Sequence, residues 1–229
     1  MIPTKAYPSH NRCFAAGFDD LVTTRNVTLF GGSNMWICSF TQKVEDWAMN
    51  AELLFKLSKE YYQDVVKNEV VLANITSEDN ILCIGGGICP FSAILFHQVT
   101  GVKVTVIDNC SCCVEKAQDV INRLGLNADI RVICQDGGSA AFSFKEYTVV
   151  HFALQINPLK AVFSHVESQV TPGTKLLIRR PRKYLSKLYN HLPSPLLQGC
   201  PITTHKNARN IGSTFLYIKQ EYAYSRAAS

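Results

Sequence analysis

A short apolar run that ends in three consecutive glycines most constrains the fold of this chain. Residues 81–84 are apolar, Gly85, Gly86 and Gly87 follow, and a second apolar segment occupies residues 91–96. This pattern predicts a buried strand, a tight turn and an amphipathic helix. Glycines let the backbone of such a turn approach a ligand, and the helix directs unpaired N–H groups at the same place. The turn alone is a weak signal for a nucleotide site.

Strands and helices alternate along the rest of the chain. The predicted strands occupy residues 101–108, 130–134, 148–153 and 175–178, and the predicted helices occupy residues 111–125 and 158–170. These spacings imply a parallel sheet with right-handed crossovers. Residues 202–204 and 214–218 predict two strands with no helix between them, which form an antiparallel hairpin. The predicted fold class is therefore α/β, a Rossmann-like doubly wound sheet, mostly parallel, with a C-terminal antiparallel hairpin.

The segment before the glycine turn has a different pattern. Apolar residues recur on one helical face between Val44 and Asn68, and a polar connector covers residues 74–80. We therefore predict an N-terminal helical cap or lid, residues 1–75, ahead of a nucleotide-binding domain, residues 76–229. The simpler alternative is an amphipathic helix that only packs against the sheet.

The length and the hydropathy of the chain limit its class. With 229 residues it can bury a full core. No apolar run approaches the roughly 20 residues that cross a bilayer. Residues 1–12 are polar and interrupted by prolines, unlike the apolar segment of a signal peptide. We therefore expect a cytoplasmic protein without membrane contacts.

The formal net charge of +5 is concentrated partly in a basic run at residues 179–183. Such a run could contact nucleic acid or an anionic small substrate, but a solvated surface loop is the commonest explanation. No recognisable RNA-binding module accompanies it. Nucleic acid is therefore not an expected partner.

The chain has nine cysteines, an odd number with irregular spacing, which argues against a disulfide scaffold. Cys110, Cys112 and Cys113 form a cluster that could bind a metal or respond to redox conditions. Zinc sites usually take four ligands from paired clusters, and the sequence offers no second pair. We therefore expect these three cysteines to be structural and predict no metal site.

Two acidic residues follow predicted strands at the same edge of the sheet as the glycine turn. Asp108 ends the second strand, roughly twenty residues after the glycines, where nucleotide-binding folds place the acid that holds ribose hydroxyls. Asp136 follows the third strand and could accept a hydrogen bond from an exocyclic amine such as that of adenine. Alternatively, Asp108 caps a helix and Asp136 shapes a turn. The three features together favour a nucleoside site.

These motifs resemble those of class I S-adenosylmethionine-dependent methyltransferases over roughly residues 75–219. Residues 84–87 look like their first motif, Asp108 resembles their ribose-binding acid, and residues 171–178 are similar to the turn before their fifth strand. The family resemblance implies a seven-stranded sheet and S-adenosyl-L-methionine as cofactor. The implied cofactor-binding residues are Gly85, Gly86, Gly87, Pro90, Asp108, Asn109, Gln135, Asp136 and Ala153. Cys83 departs from the pattern, because most members carry an acidic residue there.

One branch of that superfamily is a better local match. Residues 85–92 resemble the glycine-x-glycine-x-x-proline stretch of nicotianamine synthases, which transfer the aminocarboxypropyl group of the cofactor instead of methyl. Residues 157–160 and Arg179 are also similar to that branch. The resemblance implies that Arg179 binds a substrate carboxylate through its guanidinium fork.

Either reaction demands mainly in-line positioning, because the sulfonium is already a strong electrophile. A general base would help an amine or hydroxyl acceptor. The candidates for this catalytic role are Glu60, Tyr61, Tyr62 and His151.

Three functions stay open at this stage. The first is a methyltransferase with a small-molecule acceptor, for which the basic run leaves an anionic acceptor open. The second is a nicotianamine synthase-like aminocarboxypropyl transferase. The third is a non-catalytic regulatory domain that binds S-adenosylmethionine. The sequence also leaves the oligomeric state open, a homodimer included.

Overall fold

A seven-stranded sheet with helices on both faces forms the framework of the protein. The computed structural model describes residues 61–221. A first helix, α1, covers residues 61–73 of this range. The further helices are α2 Phe91–Thr100, α3 Ser111–Arg123 and α4 Leu159–Gln169. The strands are β1 Asn80–Ile84, β2 Lys103–Asp108, β3 Ile130–Cys134, β4 Val149–Phe152, β5 Lys175–Pro181, β6 Ile202–Thr204 and β7 Ile211–Ile218.

The strand order is β3-β2-β1-β4-β5-β7-β6. The first five strands in this order are parallel, β7 is antiparallel to β5, and β6 is antiparallel to β7. The doubly wound, mostly parallel sheet with a C-terminal antiparallel hairpin is therefore confirmed. The predicted domain boundary at residue 75 stays a prediction, because the residues before 61 lie outside the described range.

The two faces of the sheet are covered differently. On one face, α4 packs Val162, Phe163 and Val166 onto a large apolar cluster that includes Ile84 and Phe152. On the other face lie α1 and α2, and here the packed surface contains buried polar groups as well as apolar ones. The alternation of side chains along each strand separates these two surfaces.

The third helix ends where the sequence predicts a stop. Its C-cap is Leu124, and Gly125 follows in the left-handed conformation at φ 67°. Glycine adopts this conformation without the steric cost that a Cβ imposes. The glycine therefore marks the end of α3, as the sequence indicates.

The fifth strand is longer than predicted. It continues through Arg179 and Arg180 to Pro181, and it pairs with β7 over this whole length, with an irregularity between Arg180 and Pro181. The interpretation of residues 179–183 as a solvated surface loop is therefore wrong for its first three residues. Arg182 is also engaged, since its guanidinium donates to the carbonyl oxygens of three residues between β6 and β7.

Among residues 61–221, none of the helices is both long enough and apolar enough to cross a membrane.

Candidate functional site

The candidate site lies at the carboxyl edge of the parallel strands. From the centre of the sheet, the chain winds outward through β2 and β3 on one side and through β4 and β5 on the other. The reversal falls between β1 and β4, which are hydrogen-bonded neighbours. In open α/β sheets, ligands bind in the crevice outside such a reversal. The glycine turn leaves β1 at this point.

The glycine turn has a backbone that larger residues would not tolerate. Gly85 and Gly87 are in the left-handed region, at φ 83° and 59°. A Cβ on Gly86 would stand 2.2 Å from Cγ1 of Val106, whereas a Cβ on Gly87 would meet no atom of residues 61–221 within 4 Å. The first two glycines therefore let the turn pack closely on the sheet, and the third leaves open space beside it.

Asp108 fastens the turn to the neighbouring strand. Its Oδ2 accepts a 2.8 Å hydrogen bond from the backbone N–H of Gly87, and its Oδ1 accepts one of 3.0 Å from the N–H of Cys110. A carboxylate oxygen has about two lone-pair sites, so each oxygen of Asp108 retains capacity for another donor. The side chain both orders the turn and can still receive ligand hydroxyls.

Asp136 shapes the turn after β3. Its Oδ1 accepts a 2.8 Å hydrogen bond from the N–H of Gly138, while the residue itself is exposed. A Cβ on Gly137, between them, would stand 2.9 Å from Cγ2 of Ile84. The turn therefore approaches the end of β1 closely. Gln135 is half-buried beside it.

The remaining predicted cofactor residues lie along the same edge. Ala153 follows β4, and its N–H donates to the carbonyl of Ile84 at 3.1 Å. Pro90 is buried and occupies the N-cap of α2, where no side chain in the described part of the chain caps the helix. Asn109 is exposed beside Asp108. The fold thus brings the nine predicted positions to one edge, and their role in cofactor binding stays a prediction.

A buried ion pair lies on the α1 and α2 side of the sheet. Glu69 on α1 accepts hydrogen bonds of 2.8 Å from both Nε and Nη2 of Arg179 on β5. It also accepts a 2.7 Å hydrogen bond from the hydroxyl of Thr214 on β7. The Nη1 group of Arg179 donates to Ser92 on α2 at 2.9 Å. Four elements are therefore joined through two charged side chains.

The ion pair sets the charge states of its surroundings. Burial alone would raise the pKa of Glu69, but the Arg179 guanidinium, His151 and the Thr214 hydroxyl together lower it to about 2. Burial, together with the charge of Arg179, lowers the pKa of His151 to about 3. Burial raises the pKa of Cys83 to about 12. At neutral pH the cluster therefore contains one carboxylate, one guanidinium, a neutral imidazole and a protonated thiol.

His151 stands out because its side chain is buried and unsatisfied. Within the part of the chain that the structure describes, neither ring nitrogen has a hydrogen-bond partner. Its Nε2 lies 3.8 Å from Oε2 of Glu69, and its ring makes an edge contact with Phe96. A neutral imidazole at this place would be a weak base, so its candidacy as the general base gains no support from its surroundings.

The predicted catalytic residues on α1 are partly engaged elsewhere. Tyr61 donates its hydroxyl to the side chain of Asn210 and accepts the backbone N–H of that residue. The ring of Tyr62 stacks on Phe91, which follows the glycine turn, and lies below the guanidinium of Arg179. Tyr62 thus reaches the end of the turn. Glu60 lies outside the described residues, and the catalytic roles stay predictions.

The predicted substrate residue Arg179 is 4% exposed and presents its guanidinium fork to Glu69. A bidentate contact with a substrate carboxylate would require Glu69 to release that fork. Substrate binding by Arg179 therefore stays a prediction, and the bidentate contact that it assumes is made with Glu69 in this structure.

Glu69 is the residue that sequence reasoning missed. It continues the apolar face of α1, four residues after Val65 and four before Ala73, both of which are buried. A fully buried acidic residue is uncommon unless it is paired. A charge on the apolar face of a helix was therefore the signal that could have found it.

No protein-family model matches the sequence, and no curated protein matches it either. The chain is similar to two solved structures of a point mutant of the nicotianamine synthase MtNAS, one of them in complex with S-adenosylmethionine. Both matches have a TM-score of 0.61 and 23% identity, and they cover 71% of this chain. The chain spans 61% and 63% of the length of these two structures.

A second similar structure is an RNA methyltransferase from Salinibacter ruber in complex with S-adenosyl-L-homocysteine. It has a TM-score of 0.55 and 16% identity, and the match covers 72% of this chain and 97% of the other. At these identities the likeness shows the fold alone. The chain has the fold of class I S-adenosylmethionine-dependent methyltransferases, with a structural similarity to nicotianamine synthase.

Proposed function

We propose that this protein is an S-adenosylmethionine-dependent transferase with a small-molecule acceptor. The observation that carries the proposal is the pairing of the glycine turn with Asp108 at the reversal between β1 and β4. The similar proteins crystallised with S-adenosylmethionine and S-adenosylhomocysteine support it.

The residues present fit a bound S-adenosylmethionine in four respects. The open space beside Gly87 leaves room for the ligand, and Asp108 can accept the ribose hydroxyls with its remaining lone pairs. Asp136 is exposed at the same edge and can accept from the adenine amine. No side chain of the described residues caps the N-terminus of α2, so its first turn can receive the carboxylate of the methionine moiety.

The bound cofactor would supply an electrophilic sulfonium that an acceptor attacks in line. The protein then needs to bind and orient the cofactor and the acceptor and to exclude water, since the sulfonium needs no further activation. In this proposal, Asp108 and the glycine turn fix the nucleoside. Tyr62 and Phe91, stacked at the end of the turn, shield it from solvent.

The group transferred distinguishes two candidate functions. Methyl transfer is the default, because it is the reaction of most chains with this fold. Two observations favour aminocarboxypropyl transfer instead. The solved structures with a TM-score of 0.61 belong to a nicotianamine synthase, and Pro90 completes the local pattern of that branch.

Cofactor binding is tested first, by calorimetric titration of the full chain with S-adenosylmethionine. We expect binding that Asp108→Ala weakens at least about tenfold, because the ribose hydroxyls lose their acceptor. The matched control is Asp119→Ala, at a position on α3 that is not part of the proposed site. Equal affinity in wild type and Asp108→Ala would remove the basis of the proposal.

The reaction is tested by its product. Methyl transfer to an added amine yields S-adenosylhomocysteine, whereas aminocarboxypropyl transfer yields methylthioadenosine, and the two separate by chromatography. Cofactor binding without either product, across a panel of amino acids and amines, would support the non-catalytic regulatory domain instead.

A further inference from the structure

Three cysteine thiols converge at the start of α3. Cys110 is the N-cap of the helix, and Cys112 and Cys113 lie in its first turn. All three sulfur atoms lie within 4.8 Å of one another, and those of Cys110 and Cys112 are 2.9 Å apart. Within residues 61–221, no disulfide bond involves any of the three. The sequence alone does not reveal this convergence, because residues two apart on an ideal helix point in different directions.

The spacing of the sulfur atoms suits a metal ion. A metal–thiolate bond of about 2.3 Å places the sulfur atoms of a tetrahedral or trigonal site about 3.8–4.0 Å apart. The sulfur atoms of Cys110 and Cys112 lie closer than this range and no pair is more than 4.8 Å apart, so small side-chain rotations would complete the site. All the ligands come from one helical turn, so the geometry needs no distant partner.

We propose that Cys110, Cys112 and Cys113 form a three-thiolate binding site for a thiophilic d10 metal ion, Cu(I) or Zn(II). Thiolate ligands select these ions over harder ones. Cu(I) can be held by the three sulfur atoms alone, and Zn(II) would take a fourth ligand from solvent or from a bound molecule. The sequence argues against a metal site because the chain lacks a second pair of ligands. That requirement applies to structural zinc with four protein ligands.

The surroundings allow an ion to reach the three thiols. The site is open to solvent, since Cys112 is exposed and the other two are half-buried. The N-terminus of α3 favours the thiolate form. A bound metal ion would hold the three sulfur atoms as thiolates and release their protons.

The test is metal binding by the full chain, reduced and without oxygen, in the absence of any nucleoside. Zn(II) and Cu(I) are titrated in separate arms against a competing chromophoric chelator for each ion. We expect one equivalent bound with a dissociation constant below about 1 μM in at least one arm. The arm that binds tighter identifies the ion.

Variants decide whether the thiols hold the metal. Cys112→Ser should weaken binding at least about tenfold, because an alcohol is a poor ligand for a soft ion. Cys200→Ser, which changes a half-buried cysteine outside the cluster, should bind as wild type does. Circular dichroism verifies that both variants fold.

Two results would overturn the proposal. One is the absence, in both arms, of binding tighter than about 1 μM. The other is unchanged binding by the triple serine variant of the cluster. Neither result bears on the nucleoside site, because no nucleoside is present in the test.

Discussion

The carboxylate of Glu69 on α1 holds the guanidinium of Arg179 on β5 through two contacts of 2.8 Å, although 110 residues separate them. Both side chains are buried. Desolvation of two charges is costly, and their attraction offsets it only while both are present. The pair therefore ties α1 to the sheet in a manner that depends on both partners.

Removing one partner should destabilise the protein strongly. Glu69→Met leaves the Arg179 charge buried without its partner, so we expect a loss of about 3–5 kcal/mol in the free energy of unfolding. Urea denaturation of the full chain measures it. Glu115→Ala, at an exposed position of α3, is the control and should change stability by less than about 0.5 kcal/mol.

Removing both partners tests whether the pairing itself is responsible. In Glu69→Met/Arg179→Met no buried charge is left unpaired, so the double variant should recover at least half of the loss. If the double variant loses as much free energy of unfolding as the two single variants together, the contributions of Glu69 and Arg179 to stability do not depend on their pairing.

Acid should destabilise the protein through His151. Its pKa is about 3 when folded, against an ordinary value of 6.5, so below pH 6.5 the unfolded chain takes up a proton that the folded one does not. Stability is then lost as the pH falls from about 6.5 towards 3. Between pH 7 and pH 5 the loss from this one group should be about 2 kcal/mol, measured by urea denaturation at each pH.

The variant His151→Met isolates this contribution. Because the ring nitrogens have no partners among the described residues, an apolar side chain of similar volume fits the site and should flatten the profile between pH 7 and pH 5. The pKa of His205 is also lowered by burial, so this residue adds a loss of stability on acidification in both the wild type and the His151→Met variant. His191→Gln, at a position that is not buried, should keep the wild-type slope. An unchanged slope in His151→Met would contradict the assignment.

Much of the fold follows from the sequence because its central strands are apolar. The strand at residues 130–134 has the bounds that its apolar run predicts, and β1 and β4 differ from prediction by one or two residues. The sequence does not predict the extension of β5, because two consecutive arginines, Arg179 and Arg180, are typical of an exposed loop. Only the structure shows that Glu69 neutralises the charge of Arg179. Local hydropathy carries no information on a partner 110 residues away.

Some features of the candidate site can be predicted from the sequence and others cannot. The positions of Asp108 and Asp136 follow from strand ends, because parallel strands bring their carboxyl ends to one edge. The convergence of three thiols depends on side-chain directions at the start of α3, which spacing alone does not give, whereas the spacing of Glu69 on the apolar face of α1 does indicate its burial. Glycine spacing likewise predicts a tight turn without revealing which glycine faces open space.

Tyr62 should act through its ring and not as a general base. Burial, with smaller effects from neighbouring groups, raises its pKa above the usual value of 10, so it is a neutral phenol at pH 7. If the proposed transferase activity is found, Tyr62→Phe should keep kcat/KM within roughly threefold of wild type, because the contacts with Phe91 and Arg179 persist. Removing a true general base costs roughly 10²–10⁴-fold. A loss of that size would restore Tyr62 as the catalytic base.

The glycine turn should tolerate a methyl group at its third position better than at its second. In Gly86→Ala the new Cβ would stand 2.2 Å from Cγ1 of Val106, so the turn or the strand must shift, at a cost of about 1–3 kcal/mol. In Gly87→Ala the new Cβ meets no atom of the described residues within 4 Å, so the change should cost about 1–2 kcal/mol, for its left-handed backbone alone. Thermal or urea unfolding measures both.

A compensating variant distinguishes the two causes. Val106→Ala removes the methyl group that the new Cβ would meet, so combining it with Gly86→Ala should lose less stability than the sum of the two single changes. Combined with Gly87→Ala it should be additive, because strain in the backbone does not depend on Val106. Additivity in both pairs would mean that the turn does not rest against β2 as the structure has it. The close approach of Gly86 to the sheet, which positions Gly87 next to Asp108, would then need another cause.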